Sequence, residues 1–222
     1  YTQGNIVLGT EDRWAAGKNI LISRCNTANI YLSENGQAPR GAENIFIREN
    51  VVRDAIYFAG VRNVIVENNL IEGGLIYGNG MINVRNNIFQ RRTSWVINNF
   101  YGGSFENNIF LSSDAFATNN GNYYYNNIFK GTDPLGNEFS SGNLFNVSDL
   151  FINQSGVSFS YQQTYHLTAS SPARGAGTQG TDCGIYGGSS PYKEGAVPAN
   201  PHIQFKSIPT QTDAQGKINI QV

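Results

Sequence analysis

The side chains in this chain best suited to chemistry are aromatic and acidic rather than metal-binding. Trp95, Tyr101, Tyr123 and Tyr125 fall in successive stretches of sequence, with Arg91 and Arg92 just before the first. Exposed aromatic rings stack on sugar rings, and guanidinium groups hold acidic sugars by paired hydrogen bonds. These six residues form the candidate ligand-binding patch. Acids are sparse, with 16 Asp and Glu in 222 residues. Hydrolysis of a glycosidic bond needs two or three carboxylates on one face. A Ca²⁺ site needs about 6–8 oxygen ligands. The densest acidic stretch, Glu11-Asp12-Arg13, reads as a solvated turn. His166 and His202 are the only histidines, and neither has a ligand neighbour at a useful spacing. No metal site and no cofactor are therefore expected. No Ser-His-Asp set, phosphate loop or HExxH motif is present. Cys25 and Cys183 lie far apart and read as packed free thiols.

Composition narrows the classes further. The net charge is −1, which leaves no basic surplus for nucleic acid. No apolar run approaches the roughly 18 residues of a membrane span. Charged residues make up 14% of the chain, where roughly 25% is usual. With 40% hydrophobic residues the chain can bury a core, so disorder is excluded. Asn is 29 and Gly 25 of 222 residues, and Ile, Val, Phe and Tyr are plentiful. That mixture points to a repetitive β protein. The chain starts at Tyr1 without Met, which suggests a processed or trimmed product.

The elements that would position the patch come from an internal repeat. Asn-Asn followed by two apolar residues occurs at Asn68-Asn69-Leu70-Ile71, Asn86-Asn87-Ile88-Phe89, Asn107-Asn108-Ile109-Phe110 and Asn126-Asn127-Ile128-Phe129. Glu49-Asn50-Val51-Val52 is an earlier, weaker copy. The second positions, Asn50, Asn69, Asn87, Asn108 and Asn127, are 19, 18, 21 and 19 residues apart. A short alternating apolar run precedes each copy, and another lies between copies, which reads as strand. About 20 residues per repeat with no helical period give a β-solenoid whose coils bury their apolar faces by stacking.

Stacking turns equivalent positions into columns. The second asparagines form a structural ladder, their amides bonding from coil to coil, and they are expected to take the left-handed turn conformation. Of the two apolar columns that follow, Val51 to Ile128 and Val52 to Phe129, one is expected inward and the other partly exposed. Arg48, Glu67, Arg85 and Glu106 alternate in sign and read as an ion-pair ladder. Glu67 and Glu106 would lie two coils apart, about 9.6 Å from the strand spacing, with Arg85 between them. A cation there disfavours a proton donor.

After Phe129 the repeat decays. Asp149-Leu150-Phe151-Ile152-Asn153, Tyr165-His166-Leu167, Ser171-Pro172-Ala173-Arg174-Gly175-Ala176-Gly177 and Asp182-Cys183-Gly184-Ile185-Tyr186-Gly187-Gly188 follow in order. With the Asn-Asn-x-Phe coils, this order resembles the closing section of secreted bacterial right-handed parallel β-helix proteins. These share the pectate-lyase-like superfold, of the type common in Bacteroidetes. The resemblance covers roughly residues 5–190. It implies an all-β right-handed parallel β-helix (a β-solenoid) over 1–190, of about seven to eight coils, with an irregular C-terminal closure. It also implies a secreted or cell-surface location. Residues 191–222, with Pro191, Pro198, Pro201 and Pro209, read as a Pro-rich extended segment with a final strand, either a cap or a linker.

Such β-helices include lyases, glycosidases, adhesins and phage tail proteins. Without clustered acids, the first expectation is a glycan-binding or adhesive module with no catalytic centre of its own. Its partner would be a polysaccharide or cell-surface glycan. The alternatives are a polysaccharide lyase or glycosidase, the lyase requiring Ca²⁺, and a structural subunit that self-associates through open coil ends into a fibre.

Overall fold

The computed structural model describes residues 4–8, 17–32, 43–58, 60–90, 95–112, 116–117 and 119–193. The chain divides into two compact units, Tyr1–Tyr192 and Lys193–Val222. Within the second, 194–222 lie outside the described residues, and with them the expected Pro-rich segment and final strand.

The first unit is a parallel β-solenoid with three faces. Sheet A stacks Ile6–Val7, Ile30–Tyr31, Ile56–Tyr57, Leu75–Ile76, Ile97–Asn98 and Phe116–Ala117. Sheet B stacks Lys18–Ser23, Glu43–Arg48, Arg62–Glu67, Ile82–Arg85, Ser104–Glu106, Tyr123–Tyr125 and Phe139–Ser141. Sheet C stacks Asn26–Thr27, Val51–Val52, Leu70–Ile71, Ile88–Phe89, Ile109–Phe110 and Ile128–Phe129. All neighbours within these sheets run parallel and in register. Five consecutive B–C–A coils are complete; the sheet A strand Ile6–Val7 precedes them, and Tyr123–Tyr125 and Phe139–Ser141 follow and bring sheet B to seven strands. The complete coils are therefore fewer than the seven to eight expected, because the chain after Phe129 leaves the repeat.

The core follows from the alternation. Ile45, Ile47, Val64, Val66, Val84, Phe105 and Tyr124 of sheet B point inward and are buried. Phe89, Phe110 and Phe129 form an inner stack with ring centroids 4.8 Å apart, the spacing of stacked strands. Burying each such side chain contributes about 1.5–3 kcal/mol.

The turn from sheet B to sheet C corrects one expectation. The left-handed residue is the first of each Asn pair: φ is 53° at Asn68, 53° at Asn86, 57° at Asn107 and 52° at Asn126, with Glu49 equivalent at 56°. The second Asn turns its amide into the wall instead. Asn87 Nδ2 donates to Val66 O, Arg85 O and Asn108 Oδ1, and Asn87 Oδ1 accepts from Asn69 N and Asn69 Nδ2, all at 2.9–3.0 Å. The same pattern runs through Asn50, Asn69, Asn108 and Asn127, each fully buried, and ends at Asn143.

The chain after the coils accounts for a second correction. Both apolar columns of sheet C are buried, because residues beyond Asn146 fold back along the sheet's outer face. Val51, Leu70, Ile88, Ile109 and Ile128 pack there against Val147, Leu150, Tyr165, Ala173, Cys183 and Ile185. Phe151–Asn153 is not a late coil strand; it pairs antiparallel with Thr164–Leu167. The first asparagines fasten this wrap. Asn68 Nδ2 donates to Ile185 O and Gly187 O. Asn107 Oδ1 accepts from Thr178 N, and Asn126 Nδ2 donates to Thr178 Oγ1. At its far end Arg53 donates to Glu72 and to Phe159 O, Phe159 N donates to Glu72, and the guanidinium lies 4.8 Å from the Phe159 ring centroid.

Candidate functional site: the open sheet faces

The wrap covers sheet C, which leaves the outer faces of sheets A and B as the candidate ligand surfaces. The structure divides the expected aromatic patch between them. Tyr123 and Tyr125 point outward from sheet B, 41% and 38% exposed, their ring centroids 6.3 Å apart. Phe139, not singled out in the sequence, stacks on Tyr123 at 4.8 Å. Tyr101 lies at the turn from sheet A to sheet B, bridging Asn79 and Asn120. Trp95 lies at the turn from sheet C into sheet A, where its carbonyl closely approaches Gly74 of the preceding coil; a Cβ at Gly74 would collide with it. Arg91 and Arg92 lie outside the described residues. The four described residues therefore divide between sheet B and the borders of sheet A, because a three-sided coil separates positions only a few residues apart.

Sheet A carries an aromatic surface that spacing alone does not reveal. Its outward positions are Val7, Tyr31, Tyr57, Ile76, Asn98 and Ala117, opposite the buried Ile30, Ile56, Leu75 and Ile97. Tyr31 and Tyr57, paired in register, stack at 4.6 Å with 8° between their planes. Tyr77 follows Ile76 on the next coil in a left-handed conformation, φ 62°, and is 49% exposed. Partial burial pushes the Tyr57 hydroxyl pKa upward, reinforced by nearby Tyr31, Asp54 and Tyr77. Tyr57 thus keeps its proton and can donate as well as accept a hydrogen bond. Trp95 and Tyr101 border this sheet on its two sides. The signal for the stacked pair was in the sequence, in Ile30-Tyr31 and Ile56-Tyr57, once the isoleucine of each pair is placed inward.

The acids are engaged structurally. Arg85 donates twice to Glu67 Oε2, at 2.9 and 2.7 Å. Glu106 accepts from the Thr178 hydroxyl. Arg48 sits in register with Glu67, yet forms no ion pair among the described residues, so the expected four-member ladder contains one pair. A separate pair, Arg24–Glu49 at 3.0 Å, occupies the neighbouring turn column. No three His, Cys, Asp or Glu residues cluster as a metal site among the described residues. Cys25 and Cys183 are both free. No described helix is long and apolar enough to cross a membrane.

Comparison with protein-family models, curated proteins and solved structures finds no match to this chain. Its architecture is that of a parallel β-helix.

Proposed function

We propose that this chain is a glycan-binding or adhesive module of the secreted or cell-surface type, and that its ligand lies along the outer face of sheet A. The observation that carries this reading is the tyrosine surface: stacked Tyr31 and Tyr57, exposed Tyr77 on the following coil, and Trp95 and Tyr101 at the borders. Aromatic rings carry both an apolar face and a polar edge, which suits a sugar's C–H face and hydroxyl rim. The coil rise of about 4.8 Å is close to the length of one sugar unit, so a linear glycan can meet one coil per residue. The sequence resemblance to Bacteroidetes-type pectate-lyase-like β-helices supports an extracellular role and right-handed coils. Glu67, committed to Arg85, suits a binding module better than an acid catalyst.

The test is affinity electrophoresis of the protein against acidic and neutral polysaccharides. Tyr57→Ala and Trp95→Ala should each weaken retention by about tenfold, the equivalent of about 1.4 kcal/mol, while Tyr123→Ala on sheet B leaves it unchanged. Retention that survives both sheet A substitutions contradicts this placement.

A further inference from the structure

The outer face of sheet B has a self-complementary pattern. One outward column, fixed by strand register, reads Leu21, Phe46, Ile65, Asn83, Ser104, Tyr123 along the stack. Leu21 and Phe46 protrude, 55% and 42% exposed. Asn83 and Ser104, with Gly102, instead line a hollow of about 280 Å³. Within it Asn83 Oδ1 is buried and accepts no hydrogen bond among the described residues. The neighbouring column reads Arg48, Glu67, Arg85, Glu106, alternating in sign.

We propose that this face binds a second copy of the chain, with the two solenoids antiparallel about a twofold axis between the Arg62–Glu67 and Ile82–Arg85 strands. Under that axis Phe46 faces Ser104 of the second copy, Ile65 faces Asn83, and Leu21 faces Tyr123. Phe46 meets a small side chain at the hollow, Ile65 meets the hollow at Asn83, Leu21 lies against the exposed Tyr123 ring, and the same contacts recur by symmetry. The charged column selects this register. It sets Arg48 against Glu106 and Glu67 against Arg85 of the second copy. A slip of one coil either way sets Glu against Glu and Arg against Arg, which is disfavoured. Parallel solenoids with the columns aligned would do the same at every level.

Six overlapping coils span about 29 Å, and a sheet B strand spans about 17 Å. Such a footprint, about 1,000 Å² over both copies, belongs to weak and transient interfaces. The dimer should therefore appear only at high concentration, as expected for a module that gains avidity where it is crowded on a surface.

Sedimentation equilibrium of the full chain, from micromolar to millimolar, tests this. The wild type should show a reversible monomer–dimer equilibrium. Phe46→Ser removes the protruding ring and Ser104→Phe fills the hollow; each should weaken dimerisation by about tenfold or more. The double variant exchanges ring and hollow, and should recover association to within about threefold of wild type. Both positions face outward, so thermal melting should match wild type in each variant. A wild type that stays monomeric throughout overturns the proposal. So does a dimer that both single variants leave intact, or single-variant losses that the double variant fails to recover.

Discussion

Replacing Asn87 with Ala probes the wall of the solenoid most directly. Only Asn86, not Asn87, has positive φ, so the backbone at 87 accepts Ala and the effect comes from the lost amide. Five hydrogen bonds disappear. They do not count equally. Asn69 Nδ2 keeps Ile47 O and Glu67 O as acceptors, and Asn108 Oδ1 keeps the Asn87 backbone N–H. The Asn69 backbone N–H loses its side-chain acceptor in a fully buried site. An orphaned buried donor costs about 1–3 kcal/mol, and each further net loss about 0.5–1.5 kcal/mol. Allowing for relaxation, the expected destabilisation is about 3–5 kcal/mol, a large share of the roughly 5–15 kcal/mol that holds a domain folded. Urea unfolding followed by far-ultraviolet circular dichroism measures it. Asn87→Asp keeps the acceptor for Asn69 but sets a carboxylate against two carbonyls, so it should not rescue. A loss below about 1 kcal/mol for Asn87→Ala would refute the reasoning that the ladder is a buried, mutually dependent chain.

Other expectations concern the wrap and its titrating groups. Arg53→Ala removes the buried Arg53–Glu72 ion pair together with the guanidinium's hold on Phe159 O and should cost about 3–5 kcal/mol, with hydrogen exchange accelerating first at the Phe159 amide; unchanged protection there would contradict the clamp. Burial pushes the Cys183 thiol, helped by Asp182, and the Tyr165 hydroxyl each up to about 12, from 9.0 and 10.0. Both hold more protons folded than unfolded in that window, so their stabilisation is intact below about pH 9 and lost as pH rises towards 12; a melting temperature that does not fall across that range would contradict it. At pH 8 an alkylating reagent should reach half-buried Cys25 and spare Cys183 until the chain unfolds, as mass spectrometry can read.

The coils were legible in the sequence because a solenoid writes its fold as a period. The Asn-Asn-x-Phe copies give register directly, and the inward Phe and Val columns follow from alternation. What the period cannot carry is what lies outside it. The burial of Val51, Leu70, Ile88, Ile109 and Ile128 depends on residues 147–192, which reach sheet C from far along the chain with no repeat to mark the pairing. The left-handed position was misplaced by one residue because both asparagines suit it in isolation; only the ladder, which needs an inward amide, distinguishes them. The aromatic patch was read along the chain, whereas each coil sends neighbouring stretches to different faces. Tyr31 and Tyr57 sit in short apolar runs, so along the chain they look like strand formers rather than a surface.

The central claim is that the open tyrosine face of sheet A holds a glycan without cleaving it. The most direct measurement incubates the protein with acidic and neutral polysaccharides, with and without Ca²⁺, and records retention and the ultraviolet absorbance of an unsaturated uronate together. Retention without product, lost in Tyr57→Ala, is the predicted result. Ca²⁺-dependent product formation would contradict it and point to a lyase, and no retention on any glycan would contradict it in favour of a scaffold.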